Sequence, residues 1–258
     1  MDWIQALAIF AAGAAAGTIN TLVGSGTLIT FPTLLAFGYA PVTANISNNI
    51  GLVPGGISGS FGYREELRGQ GRRISALGPM SLLGSITGAV LLLVLPEQAF
   101  ATIVPVLLGI SLVLVVVQPW VQRRLQDRRD RAGGSEPGRG HGILLAASTY
   151  GAGVYGGYFG AAQGVLLIGL LGMLLPEPLQ RLNALKNVLS LIVNSVAAVT
   201  FAMLAFGRID WSVVGLIAAG SLLGGFLGAG VGRRLPSAVL RGLIVVVGVV
   251  AIWRILTS

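Results

Sequence analysis

The sequence contains no cysteine and very little charge. Only 10% of its 258 residues are charged, whereas soluble globular domains carry about 25% charged residues. The absence of cysteine excludes disulfides, thiolate nucleophiles and thiolate metal sites. With 54% hydrophobic residues and a mean hydropathy of +0.83, the chain cannot cover a water-facing surface. It is predicted to be an integral membrane protein.

Acidic residues are missing from the interior of every apolar run. All of them fall at the ends of runs or in loops: Asp2, Glu65, Glu66, Glu97, Asp127, Asp130, Glu136, Glu177 and Asp210. Proton relays in membranes commonly use buried carboxylates, so carboxylate coupling is not expected; Lys186 or the substrate itself remains as a proton carrier. An intramembrane enzyme is disfavoured as well, because the only histidine, His141, begins a run. No cofactor and no metal site are expected.

Long apolar runs occupy most of the chain. They are continuous rather than alternating, and too long for the strands of a membrane β-barrel. The runs are residues 4–19, 28–37, 43–63, 74–95, 99–121, 142–158, 165–175, 182–206, 211–231 and 238–256. They predict an all-α polytopic membrane protein with about 8–10 membrane segments. No basic residue precedes the first run, which favours a retained span over a cleaved signal peptide.

The two halves of the chain repeat each other. Ser81-Leu-Leu-Gly84 recurs as Ser221-Leu-Leu-Gly224, and Asn45-x-x-Asn48-Asn49 corresponds to Asn183-x-x-Lys186-Asn187. We therefore predict an internal duplication. Its parts are a first transmembrane repeat at 1–121, an Arg-rich linker at 122–140 and a second repeat at 141–258. Each repeat is expected to consist of a hairpin broken at a Gly-rich turn and three further transmembrane helices.

The arginines predict the orientation in the membrane. They cluster in 64–73 and 122–140 and at Arg233 and Arg234, and basic residues mark cytoplasmic loops. A hairpin returns the chain to its starting side, so each half crosses an odd number of times and both termini lie outside. The halves then form inverted-topology repeats, as in many secondary transporters. Arg208 and Arg254 fall outside in this arrangement. The net charge of +8 reflects topology and does not indicate nucleic-acid binding.

Glycines recur at a spacing of four in several runs. The patterns are Gly13-x-x-x-Gly17, Gly84-x-x-x-Gly88 and Gly220-x-x-x-Gly224-x-x-x-Gly228. Small residues at this spacing let membrane helices approach closely. We expect close packing within the fold, with a homodimer interface as the weaker alternative.

Ordered motifs in both halves resemble the TauE/SafE sulfite exporter family. The first half contributes Gly24-Ser-Gly-Thr-Leu-Ile-Thr-Phe-Pro32, Gly38-x-x-Pro41-Val-x-Ala-Asn45 and Tyr63-Arg64. The second contributes Gly160-Ala-Ala-Gln-Gly164, Asn183-x-x-Lys186-Asn187 and Gly207-Arg-Ile-Asp-Trp211. Ser25 departs from the family, which usually has glycine there. The resemblance implies a plasma-membrane permease for sulfur-containing anions such as sulfite, sulfonates or sulfoacetate.

An oxyanion that crosses hydrocarbon must exchange its water for other hydrogen-bond donors. Helix N-termini at the glycine turns, side-chain amides and hydroxyls supply donors, and Lys186, the only lysine, supplies a charge. We predict a site between one set from each half, working by alternating access at the interface of the repeats. The first set is Asn20, Ser25, Thr27, Asn45, Asn48 and Asn49, and the second is Tyr155, Tyr158, Gln163, Asn183, Lys186 and Asn187.

Other interpretations of these residues remain open. Asn183, Lys186 and Asn187 share a helical face that Ser190 and Asn194 continue. Such polar residues can simply join packed helices. Lys186 can extend to the membrane surface if it lies near a helix end, and the tyrosines can be interfacial aromatics. A non-transporting membrane subunit and a facilitator or channel for another small anion are the alternative functions.

Overall fold

The computed structural model describes residues 1–131 and 139–230, together with 242, 244–247 and 249. Within these ranges the chain is helical and contains no strand. The helices are α1 (Trp3–Leu22), α2 (Thr27–Ala36), α3 (Pro41–Gly51), α4 (Val53–Gly62), α5 (Gly71–Val94), α6 (Glu97–Arg131), α7 (Arg139–Tyr158), α8 (Gln163–Leu174), α9 (Leu179–Leu204) and α10 (Trp211–Gly230), with a 3₁₀ turn at Phe206–Arg208.

Several helices are long and apolar enough to cross a membrane. Among the described residues they number five: α1, α5, residues Glu97–Arg124 of α6, α9 and α10. The apolar helices α2 and α8 are shorter, with 10 and 12 residues, against the roughly 20 needed for a full span. The prediction of an all-helical polytopic membrane protein is confirmed.

Both Gly-rich segments interrupt their hairpins as expected. α1 ends at Leu22 and α2 begins at Thr27, while α7 ends at Tyr158 and α8 begins at Gln163. Gly24 and Gly160 adopt φ values of +88° and +78°, in the left-handed region that glycine enters without steric cost. Each turn therefore requires its glycine.

One predicted segment is divided in the structure. The run 43–63 forms two helices, because Leu52 separates α3 from α4 and Pro54 cannot donate the backbone hydrogen bond that would continue α3. The polar segment that we assigned to the linker from residue 122 is helical up to Arg131, since arginine, glutamine and leucine favour helix. Residues 132–138, the predicted span at 238–256, and Arg233, Arg234 and Arg254 lie outside the described residues, apart from the short pieces named above.

Glycines let the two halves pack backbone to backbone. A Cβ added to Gly17 of α1 would lie 2.3 Å from the carbonyl oxygen of Ser221 in α10. In the equivalent pair of helices, a Cβ added to Gly88 of α5 would lie 2.0 Å from the carbonyl oxygen of Val154 in α7. The prediction that the spaced glycines serve packing within the fold is confirmed.

The order of these contacts shows how the packed helices run. Along α1 and α10 the facing pairs are Phe10 with Gly220, Ala14 with Gly224 and Thr18 with Gly228. Along α5 and α7 they are Gly84 with Tyr150 and Gly88 with Val154. Residue numbers rise together in both lists, so both pairs of helices are parallel. The first helix of each half thus packs on the helix of the other half that carries the Ser-Leu-Leu-Gly segment.

Ion pairs join the two halves at opposite ends of the molecule. Glu177, between α8 and α9, lies 2.5 Å from Arg73 Nη1 at the start of α5 and 2.7 Å from Arg181 Nε. At the other end, Arg208 Nη1 lies 3.5 Å from Glu97 Oε1. Burial alone would raise the pKa of the Glu177 carboxyl, but the hydrogen bond and charge of Arg73 and the charge of Arg181 hold this pKa below its ordinary value.

The packing of α10 predicts a contrast between two Gly-to-Ala substitutions. A Cβ at Gly224 would lie 2.0 Å from the carbonyl oxygen of Ala14, whereas a Cβ at Gly215 would meet nothing within 4 Å. Gly224→Ala should destabilise the protein by about 2 kcal/mol or more. Gly215→Ala should be neutral or slightly stabilising, because alanine favours helix. Thermal unfolding in detergent measures both, and equal melting temperatures would contradict the packing described here.

The Glu177 ion pairs predict a stability effect that depends on pH. The folded-state pKa of Glu177 is lowered, so its stabilisation is fully present above the unfolded-state pKa and is lost as pH falls through the folded-state pKa. Glu177→Gln should lower stability by about 1 kcal/mol at pH 7, and this difference should shrink as the pH falls through the folded-state pKa of Glu177. Glu97→Gln, in the more exposed pair, should have a smaller effect at pH 7. Melting curves of both variants at several pH values test this, and a Glu177→Gln effect that persists at low pH would contradict it.

Candidate functional site

The tips of the two hairpins touch inside the protein. The amide nitrogen of Gly164 donates to the carbonyl oxygen of Gly24 across 3.0 Å. A Cβ added to Gly24 would lie 2.4 Å from Gly164 Cα, so no larger residue fits at this crossing. The short helices α2 and α8 both begin beside it, and their N-terminal ends carry partial positive charge.

Lys186 of α9 lies against this crossing and is completely buried. Its Nζ donates to the carbonyl oxygen of Asn20 at 2.9 Å and to that of Thr21 at 3.4 Å. Its aliphatic stem passes the second turn, where Cδ would lie 3.0 Å from a Cβ added to Gly164. The alternative in which Lys186 extends to the membrane surface is therefore wrong. An ammonium group has three donors, and these two carbonyls leave one of them for another acceptor.

The polar face of α9 also completes the end of α1. Carbonyls in the last turn of a helix lack partners within the helix. Asn183 Nδ2 and Asn187 Nδ2 donate to the carbonyl oxygen of Thr21 at 3.2 and 3.3 Å. The cation of Lys186 lies at the negative end of the α1 dipole, where positive charge is stabilised. These side chains thus hold α1 and α9 together, as the packing interpretation expected.

Helix packing does not balance the charge of Lys186. In the part of the chain that the structure describes, the ion pairs are Arg73–Glu177, Arg181–Glu177 and Arg208–Glu97. None involves Lys186, and the groups that contact its ammonium are neutral carbonyls. Removing an unpaired ion from water costs several kcal/mol, and carbonyl dipoles offset only part of this. An anion beside Lys186 would supply the missing charge.

The asparagines of the first half have different surroundings. Asn45 Nδ2 donates to the carbonyl oxygen of Tyr158 at 2.9 Å, so it contacts the end of α7 much as Asn183 contacts the end of α1. Asn48, the counterpart of Lys186, instead accepts a hydrogen bond from Thr30 and donates to Thr27 Oγ1 at 3.2 Å. Asn48 and Thr27 are therefore hydrogen-bonded within their own half. Thr30, which was not among the predicted site residues, belongs to the same hydrogen-bonded group.

Asn49 lies beside the second turn and is 2% exposed. Its Nδ2 would be 3.9 Å from a Cβ added to Gly160, and its Oδ1 has no hydrogen-bond partner among the described residues. Its counterpart Asn187 approaches the end of the first hairpin helix in the same way. In each half, one asparagine thus lies near the hairpin of the other half.

Several other predicted site residues carry buried polar atoms without a partner in the described chain. Those able to donate are Ser25 Oγ, Tyr158 Oη and Gln163 Nε2, and those that accept are Asn45 Oδ1 and Asn183 Oδ1. Each such group costs about 1–3 kcal/mol if it stays unpaired. Ser25 follows Gly24 in the chain and Gln163 precedes Gly164, so both donors flank the contact between the two turns. Such groups at one crossing indicate a site for a polar ligand or ordered water.

Tyr155 and Tyr158 have different environments. Tyr155 Oη donates to the carbonyl oxygen of Ala161 at 2.6 Å and lies 2.8 Å from Ser111 Oγ, which in turn donates to the same carbonyl at 3.1 Å. Tyr155 and Ser111 thus brace the second turn, and nothing in the spacing of Ser111 pointed to this contact. Tyr158 is 9% exposed and packs edge-on against Phe100. Its buried ring does not fit an interfacial aromatic.

Comparison with known proteins gives the chain a family. A family model described as "Sulfite exporter TauE/SafE" matches residues 9–255. Escherichia coli (strain K12) has a relative called "Probable membrane transporter protein YfcA" that is 26% identical over 255 residues, covering 93% of this chain and 86% of the relative. A "Probable membrane transporter protein" of Haemophilus influenzae is 29% identical over 249 residues, covering 94% of this chain and 91% of the relative.

A third relative, "Probable membrane transporter protein ORF9" of Sinorhizobium sp, is 26% identical, covering 97% of this chain and 92% of the relative. No solved structure matches the chain. The names of the relatives indicate a transporter rather than an enzyme, and the helices of this chain are those of a multi-pass membrane protein. With the family model matched over nearly its whole length, the protein belongs to the TauE/SafE sulfite exporter family and is a membrane transporter.

Proposed function

We propose that the protein transports a small sulfur-containing anion such as sulfite, a sulfonate or sulfoacetate, and binds it beside Lys186. The observation that carries this proposal is a fully buried lysine without an acidic partner among the described residues, set against the crossing of two helical hairpins. The family description names a sulfite exporter. That description supplies the sulfur chemistry, while the unpaired charge supports an anion independently of it.

The groups around the crossing suit a sulfur oxyanion. Such an ion spreads its charge over several oxygens, each of which needs hydrogen-bond donors once water is removed. The unused N–H of Lys186, the hydroxyl of Ser25 and the amide of Gln163 are available as donors. The N-termini of α2 and α8 add the positive ends of two helix dipoles. Because glycine has no side chain, an anion can approach the backbone closely at both turns.

We infer that transport proceeds by alternating access between inverted-topology repeats. The direction of α4 relative to α9, its counterpart in the other half, supports the inversion. Gly56 of α4 faces Leu191 of α9. Gly59 lies further along α4 and faces Thr21. Thr21 accepts a hydrogen bond from Asn187, which comes before Leu191 in α9. The counterparts therefore run antiparallel, as inverted repeats require.

The ion pairs between the halves fit the same mechanism. Arg73–Glu177 and Arg208–Glu97 each join one half to the other, and they lie at opposite ends of the molecule. In our proposal the first end, which carries the Arg-rich loop 64–73, faces the cytoplasm. Rocking of one half against the other would break one ion pair and keep the other, so that the anion meets one aqueous side at a time.

Transport of sulfur anions by the purified protein tests the proposal directly. Liposomes loaded with radiolabelled sulfite, methanesulfonate or sulfoacetate should release at least one of these anions faster when they contain the protein. Lys186→Ala should abolish this flux. Lys186→Arg should also reduce it strongly, because the planar guanidinium is larger and places its donors differently. Arg68→Ala, which removes an exposed cation outside the described ion pairs, serves as the matched control and should retain flux.

Two results would count against the proposal. If the folded wild-type protein moves none of these anions, a non-transporting membrane subunit or a carrier of another anion explains the fold better. If flux is undiminished in both Lys186 variants, the site lies elsewhere. Monodisperse elution in size-exclusion chromatography establishes that each variant is folded before its flux is interpreted.

Substitutions of the asparagines should distinguish side chains that serve transport from side chains that stabilise the fold. Asn48→Ala would leave Thr27 and Thr30 without a shared partner, so it should lower the free energy of unfolding by about 1–3 kcal/mol. Asn49→Ala removes an amide oxygen that has no partner and should leave stability nearly unchanged while it weakens transport. Asn187→Ala should weaken transport to a similar degree. Melting temperatures and fluxes measured on the same preparations test this contrast, and a destabilised Asn49→Ala would show that Asn49 is structural.

A further inference from the structure

The polar face of α9 extends past Lys186 and lines a small cavity against α4. Asn187, Ser190 and Asn194 form one wall, and Gly55, Gly56 and Gly59 form the other. The cavity measures about 10 Å³, which is room for about one water molecule. We call this cavity and its two walls the α4–α9 seam.

The seam is continuous with the Lys186 site. Asn20 and Thr21 also border the cavity, and their carbonyl oxygens accept the hydrogen bonds of Lys186. From Asn187 the α9 wall rises to Asn194, a distance of about 10 Å at 1.5 Å per residue. It rises towards the end of α9 that leads into Phe206–Arg208. The seam therefore points from the predicted anion site to that end of the molecule.

The hydroxyl of Ser190 in the seam is not used for packing. Ser190 Oγ is buried and has no hydrogen-bond partner among the described residues. Asn194 lies in the cavity wall and is 8% exposed. A serine and an asparagine that only joined two helices would donate to the opposite helix, as Ser85 of α5 does to the carbonyl oxygen of Val193 at 2.7 Å. The hydroxyl of Ser190 makes no such bond, although helix α4 faces it.

The α4 wall of the seam consists of glycines, which have no side chains to fill the cavity. A Cβ at Gly56 would lie 3.0 Å from Leu191 Cδ1, and a Cβ at Gly59 would lie 2.6 Å from Thr21 Oγ1. Side chains at these positions would fill the cavity. α4 is also a separate ten-residue helix, divided from α3 at Leu52. α4 also packs closely on α10, where a Cβ at Gly225 would lie 2.6 Å from the carbonyl oxygen of Gly55, so widening the seam requires α4 and α10 to move together relative to α9.

We propose that the α4–α9 seam is the route by which the anion passes between Lys186 and the Phe206–Arg208 end, with Ser190 and Asn194 as route-lining residues. The inference rests on the proposed function and adds the path and two residues to it. The described lining of the seam offers a hydroxyl and amide donors without a carboxylate. Because the ammonium of Lys186 lies at its inner end, the seam favours anions over cations. In the present conformation it admits only water-sized molecules, and passage of an oxyanion requires α4 to move.

The lack of native cysteine allows a direct test with single-cysteine variants. Ser190→Cys and Asn194→Cys would be treated in sealed vesicles with two membrane-impermeant thiol reagents of similar size, the anionic 2-sulfonatoethyl and the cationic 2-trimethylammonioethyl methanethiosulfonates. Each rate is divided by the rate of the same reagent with a free thiol in solution. We expect both cysteines to react, with a corrected rate about tenfold higher for the anionic reagent. Methanesulfonate should slow the reaction, and labelling should block flux.

Two control variants identify the side of the membrane from which the seam is reached and show whether the labelling is specific to the seam. Arg208→Cys, at an exposed position, marks the end from which the seam should be reached, so the seam cysteines should react from the same side of the membrane. Ser81→Cys replaces a serine that is also buried with an unpaired hydroxyl but packs against Gly153 of α7. It should not react. Size-exclusion profiles establish folding, and the two seam positions provide independent variants if one fails to fold.

The outcomes separate this inference from the proposed function. If flux depends on Lys186 but neither seam cysteine reacts, or if both react equally with anionic and cationic reagents, the seam is not the anion route while the transporter proposal stands. Reaction only from the side opposite to Arg208→Cys overturns the inference in the same way. If the wild-type protein carries no sulfur anion but the cysteines still react selectively, the proposed substrate falls and the anion-selective seam remains.

Discussion

The burial of a lysine without an acidic partner in the described part of the chain is the constraint on which the rest of the candidate site depends. Lys186 is fully buried, and its ammonium contacts the carbonyl oxygens of Asn20 and Thr21. Those carbonyls are available only because α1 ends at Leu22, short of a continuous crossing into α2. The broken hairpin thus creates the acceptors that make the cation tolerable. An unbroken span would satisfy the same carbonyls internally, and Lys186 would then have no partners in the interior.

The packing of the helices depends on residues without side chains. The two turns can touch only because Gly24 and Gly164 have no Cβ. The parallel contacts of α1 with α10 and of α5 with α7 likewise need residues without a Cβ at Gly17 and Gly88. Membrane helices gain little from burying apolar surface against one another, so association depends on such close approach. Glycine therefore does two things here: it brings the halves together, and it leaves the backbone uncovered by side chains at the place where they meet.

The sequence predicted the class, the hairpin breaks and the packing glycines, because each depends on local composition or on spacing. It also predicted that Asn183, Lys186 and Asn187 share one face, since i, i+3 and i+4 positions coincide on a helix. It could not predict that this face meets the end of α1, or that Asn48 is held by Thr30, because those contacts join distant segments. The bracing of Tyr155 by Ser111 is of the same kind. The division of run 43–63 at Leu52 was missed although Pro54 signalled it.

At corresponding positions of the two halves, Asn48 and Lys186 make different contacts. Asn45 and Asn183 both donate to the end of the opposite hairpin helix, yet Asn48 is paired within its own half where its counterpart Lys186 reaches across to α1. Two lysines in equivalent positions would repel each other inside a low-dielectric interior. In the proposed mechanism, a single lysine opposite a neutral, internally satisfied asparagine would concentrate the attraction for an anion on one side of the crossing. One anion per cycle would then neutralise the site.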